Sequence, residues 1–232
     1  MKESTLRLFS VLAIRAPFIG LEKNWQSTHG NLPLAIDWNP TSVIEKKIAA
    51  GETADAVIVT AEAMDKLIAG GYVAASSRVE LVDSPLGLAM LRDAAAPDIS
   101  NVAAFKQALL QAKSVAYSLG GASGIYFQKL LKELAIEQEI NARATTINEG
   151  FTAAQLLDGT ADIAVQQISE LLMVEGIKVI GPLPEGAQKI LSFSGGVFTR
   201  AARPQQAAAL LDFLRSPEAM QAFNAWGLTA RV

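Results

Sequence analysis

Residues 42–62 have the sequence SVIEKKIAAGETADAVIVTAE and decide the fold class. Apolar residues recur at helical spacing across Ser42–Ala50, which predicts a helix with one buried face. Ala56–Val59 is a short, continuously apolar run, as expected of a buried strand. A second helix is predicted over Ala61–Ala69, and Gly70-Gly71 ends it. A helix, a strand and a helix in direct succession predict an α/β protein with mostly parallel sheets flanked by helices.

The same alternation extends outward over the rest of the chain. The other predicted strands are Leu6–Leu12, Leu34–Trp38, Val79–Val82, Leu86–Leu91, Ser114–Ser118, Ile163–Gln166, Val179–Leu183 and Ile190–Phe198. The other predicted helices are Pro17–Thr28, Val102–Ala112, Gly124–Ala135, Gly150–Leu157 and Gln205–Trp226, the last interrupted at Ser216-Pro217. Breaks at Ser84-Pro85 and at Pro182 and Pro184 predict two lobes, residues 1–83 with 186–232 and residues 84–185. Extended strands are expected to join the lobes, since no low-complexity linker is present.

Composition limits the classes of function. Half of the 232 residues are hydrophobic and 19% are charged, so the chain can bury one large core or two medium-sized ones. The net charge of −3 is dispersed without a basic stripe, so we do not expect nucleic-acid binding. The absence of cysteine excludes disulfides and thiolate chemistry, and it fits either the cytoplasm or a cysteine-poor periplasmic protein.

The N-terminus bears on the compartment. No apolar run reaches the roughly 18 residues that cross a membrane. Met1-Lys2 and the apolar Leu6–Ile14 resemble a signal peptide, but Arg15 and Pro17 interrupt the apolar stretch. We therefore expect an export signal to have been removed before residue 1, and a periplasmic, monomeric protein.

The glycine-rich stretch SLGGASGIY, residues 118–126, lies between an apolar strand and an amphipathic helix. Its glycines let backbone N–H groups approach a ligand, and Ser123 is placed to cap a helix starting at Gly124. Because a helix N-terminus carries unpaired N–H donors and a partial positive charge, an anion is its natural occupant. An ordinary strand-to-helix turn explains the stretch alone equally well. The candidate ligand-binding residues here are Ser118, Gly121, Ser123, Gly124 and Tyr126.

Two further candidate sites follow strands of the first lobe. The stretch Asn39-Pro40-Thr41-Ser42 precedes a helix, and its hydroxyls either cap that helix, the commoner role, or contact a ligand. The stretch Leu12-Ala13-Ile14-Arg15 lies where the ligand crevice of an open α/β sheet is expected. Arg15 is there either a bidentate partner of a carboxylate or a solvated charge. The candidates from these stretches are Ala13, Arg15, Asn39, Thr41 and Ser42.

Residues 159–170, GTADIAVQQISE, place two amides and a carboxylate at the end of a buried strand. Gln166 there either hydrogen-bonds a ligand or ties the strand to a neighbouring loop. Catalytic patterns are sparse, because the only histidine, His29, lies in a polar loop and no histidine pair or nucleophile elbow is present. We expect no metal and no cofactor. If the protein is an enzyme, its acid or base must be a carboxylate, lysine or tyrosine, with Glu149, Glu170 and Tyr126 as candidates.

Three segments of the chain resemble the molybdate-binding proteins of bacterial ABC importers. The resemblance covers nearly the whole chain and is carried by residues 42–62, by Ser123-Gly124-Ile125-Tyr126 and by residues 210–223. It implies a two-lobed type II periplasmic binding protein fold, in which serine hydroxyls and backbone amides of two closing lobes hold a tetrahedral oxyanion.

The ligand positions of that family match only in part. Ala13 stands where the family has a serine, Thr41 aligns with its liganding serine, Ser123 keeps its backbone position and Gln166 replaces its tyrosine. A buried dianion needs every oxygen paired, and each unmet charge-assisted bond costs about 1.5 to 3 kcal/mol. Because these departures lose one hydroxyl and gain Gln166 and Arg15, we expect a small organic carboxylate in the cleft between the lobes, in preference to molybdate.

Three kinds of protein share these features. The leading prediction is a solute-binding protein whose lobes close about a hinge near residues 83–85 and 181–192 and signal to a membrane ABC permease. Residues 165–172 and 181–184 also resemble a side branch that includes aconitate isomerase, which makes a polycarboxylate isomerase the alternative. A ligand-sensing domain of a transcription regulator has the same fold, but it requires a DNA-binding helix-turn-helix that this sequence does not contain.

Overall fold

The computed structural model of the protein describes residues 5–30 and 32–231. Met1-Lys2, the start of the signal-like stretch, lies outside the described residues. The strands are β1 Leu6–Ser10, β2 Leu34–Trp38, β3 Ala56–Thr60, β4 Val79–Leu91, β5 Val115–Ser118, β6 Thr145–Ile147, β7 Ile163–Gln167, β8 Ile177–Pro182, β9 Ile190–Val197 and β10 Thr229–Ala230. The helices are α1 Arg15–Thr28, α2 Thr41–Ala49, α3 Ala61–Ala69, α4 Val102–Gln111, α5 Ala122–Glu133, α6 Glu137–Asn141, α7 Ala154–Leu157, α8 Ile168–Leu171, α9 Pro204–Phe213 and α10 Pro217–Ala225, with 3₁₀ turns at Leu12–Ile14 and Ala75–Ser77. Among the described residues, no helix has both the length and the apolar character of a membrane span.

The chain divides into two compact units. Unit 1 comprises Met1–Asp83 and Ser192–Val232, and unit 2 comprises Ser84–Leu191. Residues 186–191, which the sequence analysis assigned to the first lobe, therefore pack with unit 2. Each boundary falls inside a strand, the first in β4 and the second in β9.

In unit 1, β1 is the middle strand of three parallel strands. Its register aligns Leu6 with Leu34 of β2 and Leu8 with Ala56 of β3. Strand β9 is antiparallel to β3 on the other side. All five residues of β3 are buried, which explains why its sequence is continuously apolar instead of alternating.

In unit 2, β5 is the middle strand of a second parallel group. It pairs with β6 on one side and β7 on the other, and β4 is antiparallel to β7 and to β8. The small residues Ala89, Ala116 and Ala164 on β4, β5 and β7 pack into one buried cluster with Leu156 and Leu171. Each unit is thus a mixed sheet, with three parallel strands and antiparallel strands beside them, and helices pack on it, which confirms the predicted α/β class.

A pair of aspartates fixes the parallel strands in the same way in both units. Asp55 precedes β3 and accepts backbone N–H groups from Arg7 at 2.9 Å and Arg203 at 2.9 Å. Asp162 precedes β7 and accepts the N–H groups of residues 113 and 114 at 3.0 and 2.9 Å. Each aspartate is the last residue of a Thr-Ala-Asp sequence, at residues 53–55 and 160–162. These carboxylates tie the start of each strand to its parallel neighbour.

Several predicted elements differ from the structure. The first strand ends at Ser10, because a 3₁₀ turn begins at Leu12. The two strands predicted on either side of Ser84-Pro85 are one strand, β4. The strand predicted over Val179–Leu183 begins earlier, at Ile177, and pairs with β4 inside unit 2. Strand β6 and helix α6 were not predicted, since both are short.

Candidate functional site

In unit 1, the carboxyl ends of three parallel strands and the starts of the following helices lie at one edge of the sheet. Strands β1, β2 and β3 end at Ser10, Trp38 and Thr60, and α2 and α3 begin at Thr41 and Ala61. Partial positive charge at helix N-termini and unpaired N–H groups collect at such an edge. This edge is therefore the part of unit 1 that is suited to an anion.

Thr41 is the first residue of α2, and it does not cap that helix. The N-cap is Pro40, which makes no side-chain cap, so the prediction that Thr41 and Ser42 cap α2 is wrong. The buried Thr41 Oγ1 instead accepts the backbone N–H of Thr60 at 3.3 Å. With one lone pair used in this way, the hydroxyl hydrogen remains to be donated to a ligand oxygen. Ser42 is the second residue of α2 and is half-buried.

The other unit 1 candidates differ in what they offer. Ala13 is buried on the 3₁₀ turn and has no polar side chain, so only its backbone is available. Arg15 is half-buried at the start of α1, and its guanidinium makes no hydrogen bond or ion pair with the described residues. Asn39 donates its amide N–H to Asp37 at 2.6 Å, and Asp37 is also paired with Lys47. Arg15 is thus a cation without a partner, whereas Asn39 belongs to a surface ion network.

In unit 2, β5 ends at Ser118 and a tight turn leads into α5. The helix begins at Ala122 with Gly121 as its N-cap, so the prediction that Ser123 caps a helix starting at Gly124 is wrong. Ser123 is instead the second residue of α5 and is buried. A Cβ atom on Gly124 would lie 1.7 Å from the Ser118 carbonyl oxygen, closer than any side chain permits. Glycine at 124 therefore lets the first turn of α5 pack directly on the end of β5.

This packing leaves the Ser118 hydroxyl in an unusual position. Ser118 is 5% exposed, and its Oγ has no hydrogen-bond partner among the described residues. A Cβ atom on Gly121 would approach Ser118 Oγ to 2.6 Å, so the glycine keeps the space beside the hydroxyl open. An unpaired buried hydroxyl costs about 1 to 3 kcal/mol, so a bound group that pairs with it gains that free energy.

Tyr126 is engaged in a structural contact. Its hydroxyl donates to the carbonyl oxygen of Ala187 at 3.0 Å, and the Lys189 ammonium lies 5.8 Å from its ring centre. Burial raises the pKa of the Tyr126 phenol, which opposes its use as a base near neutral pH. The hydroxyl therefore positions the segment around Ala187.

Gln166 is hydrogen-bonded to a neighbouring loop through both ends of its amide. Its Oε1 accepts the Thr152 N–H at 2.8 Å and the Thr152 hydroxyl at 3.0 Å, and its Nε2 donates to the Gly150 carbonyl at 3.0 Å. Of its two predicted roles, the structure supports the tie to a loop. Gln166 holds the backbone of residues 150–152 at the carboxyl end of β7.

The next residues carry buried polar groups that the sequence analysis did not single out. Gln167 Nε2 donates to Glu170 Oε1 at 2.9 Å, whereas Gln167 Oε1 and Ser169 Oγ have no partner among the described residues. Burial raises the pKa of the Glu170 carboxyl to about 8. By contrast, Glu149 is exposed. The signal for Gln167 and Ser169 was the polar run at the end of an apolar strand, within residues 159–170.

Other possible sites lie away from these residues. A pocket of about 280 Å³ in unit 1 is formed at the C-terminal ends of α2 and α3, and none of the predicted site residues lines it. Over residues 5–30 and 32–231, no three histidine, cysteine, aspartate or glutamate side chains are grouped so that they hold a metal ion.

Comparison with known proteins gives consistent results. The family model of bacterial extracellular solute-binding proteins matches residues 6–229. The chain is 40% identical over 186 residues to the aconitate isomerase of a Pseudomonas species, which covers 80% of this chain and 71% of the relative. It is 22% identical to the putative ABC transporter substrate-binding lipoprotein YvgL of Bacillus subtilis, over 99% of this chain and 88% of the relative.

The fold is that of known periplasmic binding proteins. The molybdate-binding protein of Azotobacter vinelandii matches with a TM-score of 0.80 at 16% identity, over 98% of this chain and 100% of that chain. At this identity the likeness concerns the fold alone. It confirms the predicted resemblance to molybdate-binding proteins and the predicted α/β fold.

Proposed function

The chain belongs to the bacterial extracellular solute-binding proteins, and on that basis we propose that it captures a small organic anion, a di- or tricarboxylate in preference to molybdate. Membership of this family indicates a periplasmic or extracellular location. The similarity to a putative ABC transporter substrate-binding lipoprotein supports a membrane ABC permease as the partner that receives the ligand.

The unpaired Ser118 hydroxyl is the observation that carries the proposal. It is buried at the N-terminus of α5, a helix of 12 residues whose first turn packs against it through Gly121 and Gly124. A carboxylate oxygen placed there accepts the hydroxyl and backbone N–H groups and interacts favourably with the helix dipole. No apolar or cationic ligand satisfies all these donors.

The donors in unit 1 favour a carboxylate over a tetrahedral metal oxyanion. Ala13 offers no hydroxyl, whereas the unpaired Arg15 guanidinium has the planar fork that matches a carboxylate. The Thr41 hydroxyl retains its hydrogen for donation. The 40% identical relative named aconitate isomerase supports the same class of ligand.

A thermal-shift screen tests the proposal. A ligand at 100 times its Kd that binds only the folded protein adds about 2.7 kcal/mol to the free energy of unfolding. We expect citrate, cis-aconitate, trans-aconitate or succinate to raise the melting temperature, and molybdate and sulfate to leave it unchanged. The variants Arg15→Ala in unit 1 and Ser118→Ala in unit 2 should each reduce the shift produced by the same compound. Stabilisation by molybdate alone would contradict the proposal.

Isomerisation of the captured polycarboxylate is the second candidate function, favoured by the identity to the Pseudomonas relative. In such a reaction a base removes a proton from a carbon beside the double bond and the proton returns at the far end of the allylic system, so no co-reactant is needed. Among the predicted bases, Glu170 is buried with a pKa near 8, Glu149 is exposed and Tyr126 is bonded to a carbonyl. A pKa near the working pH suits a group that both takes and returns a proton.

Turnover separates the two functions. Purified protein incubated with cis- or trans-aconitate is followed by ultraviolet absorbance, because the two isomers absorb differently. A steady absorbance change proportional to enzyme concentration indicates an isomerase. Binding of aconitate without an absorbance change indicates a binding protein.

A further inference from the structure

The Gln167–Glu170 pair in unit 2 is buried and only half satisfied. The two residues are 4% and 5% exposed, and a single hydrogen bond of 2.9 Å joins the amide nitrogen to the carboxyl group. The amide oxygen of Gln167 has no partner among the described residues. Buried amide oxygens are nearly always paired, so an unpaired one needs an explanation.

The charge on Glu170 decides whether the oxygen or the N–H₂ group of the Gln167 amide is left without a hydrogen-bond partner. An ionised carboxylate only accepts, so it holds the amide N–H₂ group and leaves the amide oxygen unpaired. A protonated carboxyl also donates, so the amide can turn by half a rotation, accept from Glu170 and release its N–H₂ group. A ligand carboxylate needs donors and is repelled by a free carbonyl oxygen. The protonated state of the pair therefore suits an anionic ligand better.

The surroundings leave Glu170 without a compensating charge. The elements packed most closely on α8 are β7 and β8. Strand β7 has no titratable residue, and the one in β8, Lys178, donates its ammonium to the carbonyl oxygen of Ala94. Burial therefore acts on the Glu170 carboxyl without a neighbouring cation, and it outweighs a hydrogen bond from Gln166 that lowers the pKa of this carboxyl, so the neutral form is favoured.

The pair lies at the same edge of the unit 2 sheet as the unpaired Ser118 hydroxyl. Strands β5 and β7 are parallel neighbours, and their register aligns Ala116 with Ala164. Continued by two residues, this register brings Ser118 level with Gln166, and Gln167 follows directly. The carboxyl ends of both strands, at one edge of the sheet, therefore each carry a buried polar atom without a partner among the described residues.

We propose that the Gln167–Glu170 pair couples capture of an anionic ligand to one proton held on Glu170. The protonated pair turns amide N–H donors toward the ligand, and loss of the proton to solvent turns the amide oxygen toward it. The proposal rests on the proposed function, because it requires a carboxylate ligand at the carboxyl ends of β5 and β7. It adds that Gln167, through its protonated neighbour, selects for anions.

Isothermal titration with trans-aconitate tests the coupling, because the carboxyl groups of this probe are ionised throughout the range used. With a free-state pKa near 8, one linked proton makes the wild type about tenfold weaker at pH 9 than at pH 7. At pH 9, titrations in two buffers of different ionisation enthalpy should show nearly one proton taken up per ligand bound. At pH 6 they should show none.

Variants identify the group that holds the proton. Glu170→Gln should bind trans-aconitate with the same Kd at pH 7 and pH 9, and Glu175→Gln, an exposed carboxyl in the same unit, should behave as the wild type. The number of protons taken up per ligand bound is measured on the wild type alone. It therefore tests the coupling even if Glu170→Gln does not fold. A wild-type Kd that is constant from pH 7 to pH 9 overturns the coupling and leaves the proposed function intact. Failure of citrate, succinate and both aconitates to bind at any pH overturns the proposed function and the coupling together.

Discussion

Removal of the Glu170 carboxyl should change how stability depends on pH. The pKa of Glu170 is raised from its ordinary value of 4.5 to about 8, so the folded protein binds this proton far more tightly than the unfolded chain does. Because the folded pKa is raised, the stability from this proton is fully present below the unfolded pKa and is lost as the pH rises through the folded pKa. Each tenfold difference in proton affinity corresponds to about 1.4 kcal/mol. Between pH 5 and pH 9, the wild type should therefore lose about 4 kcal/mol of unfolding free energy at this one site.

Glutamine in place of Glu170 keeps the shape of the side chain and cannot ionise. We expect Glu170→Gln to be close to the wild type in stability at pH 5 and more stable at pH 9 by a few kcal/mol. The measurement is urea unfolding of both proteins at pH 5, 6, 7, 8 and 9, with the difference in unfolding free energy plotted against pH. Taking the difference removes the titration of every group that the two proteins share.

Glu175→Gln supplies the control, because this exposed carboxyl has the same charge and lies five residues further along the chain. Its difference from the wild type should be nearly flat from pH 5 to pH 9. A Glu170→Gln curve as flat as the control would mean that Glu170 titrates as an ordinary carboxyl. That result would refute both the argument from burial and the role of Glu170 as a proton carrier.

Three further substitutions test the two candidate binding edges. Arg15→Ala should weaken a carboxylate ligand by about 1.5 kcal/mol or more, measured by calorimetry, and an unchanged Kd would remove Arg15 from the site. Thr41→Val leaves the Thr60 N–H unpaired, so thermal unfolding should show a loss of about 1 to 3 kcal/mol in addition to weaker binding, whereas Thr41→Ser should keep both. Gly124→Ala forces a methyl group against the Ser118 carbonyl and should lower stability by about 1 to 3 kcal/mol or more, and an unchanged melting temperature would contradict the close packing of α5 on β5.

The fold could be predicted from local sequence where the burial of a segment and its hydrophobic period indicate the same secondary structure. The run Ala56–Thr60 is buried at every position, so its continuous apolar character translates directly into a central parallel strand. Helix α3 has the predicted bounds, because Thr60 caps its start and Gly70-Gly71 ends it. In such segments local propensity and tertiary packing favour the same structure.

Prediction failed where tertiary pairing overrides a local signal. Pro85 predicts an interruption between two strands, yet it lies inside the single strand β4. The pairing with β10 reaches Asp83 and the pairing with β7 begins at Leu86, so Pro85 lies between these two ladders and within neither. Pro182 and Pro184 likewise mark the end of β8, but they do not indicate which strand β8 pairs with. No local pattern contains that information.

The turn between β5 and α5 was predicted in position and not in detail. The glycine-rich stretch does bring backbone N–H groups to the end of β5, but the helix begins two residues before the predicted start. As a consequence Ser123 lies inside the first turn, and Ser118, at the end of the strand, is the residue with the unpaired hydroxyl. A shift of two residues is within the usual uncertainty of a helix boundary, yet it changes which side chain keeps a hydroxyl without a partner among the described residues.

The neighbouring glutamines at the end of β7 show why residue type alone cannot assign a ligand contact. Gln166 and Gln167 are both buried and chemically identical, and adjacent residues of a strand point to opposite faces of the sheet. On one face the loop at Thr152 supplies an N–H and a hydroxyl that satisfy the Gln166 amide. Gln167 donates its amide N–H to Glu170, and its amide oxygen has no partner among the described residues. The free capacity of an amide is therefore set by what the remote chain brings to it, and of these two glutamines Gln167 is the one whose amide oxygen has no partner among the described residues.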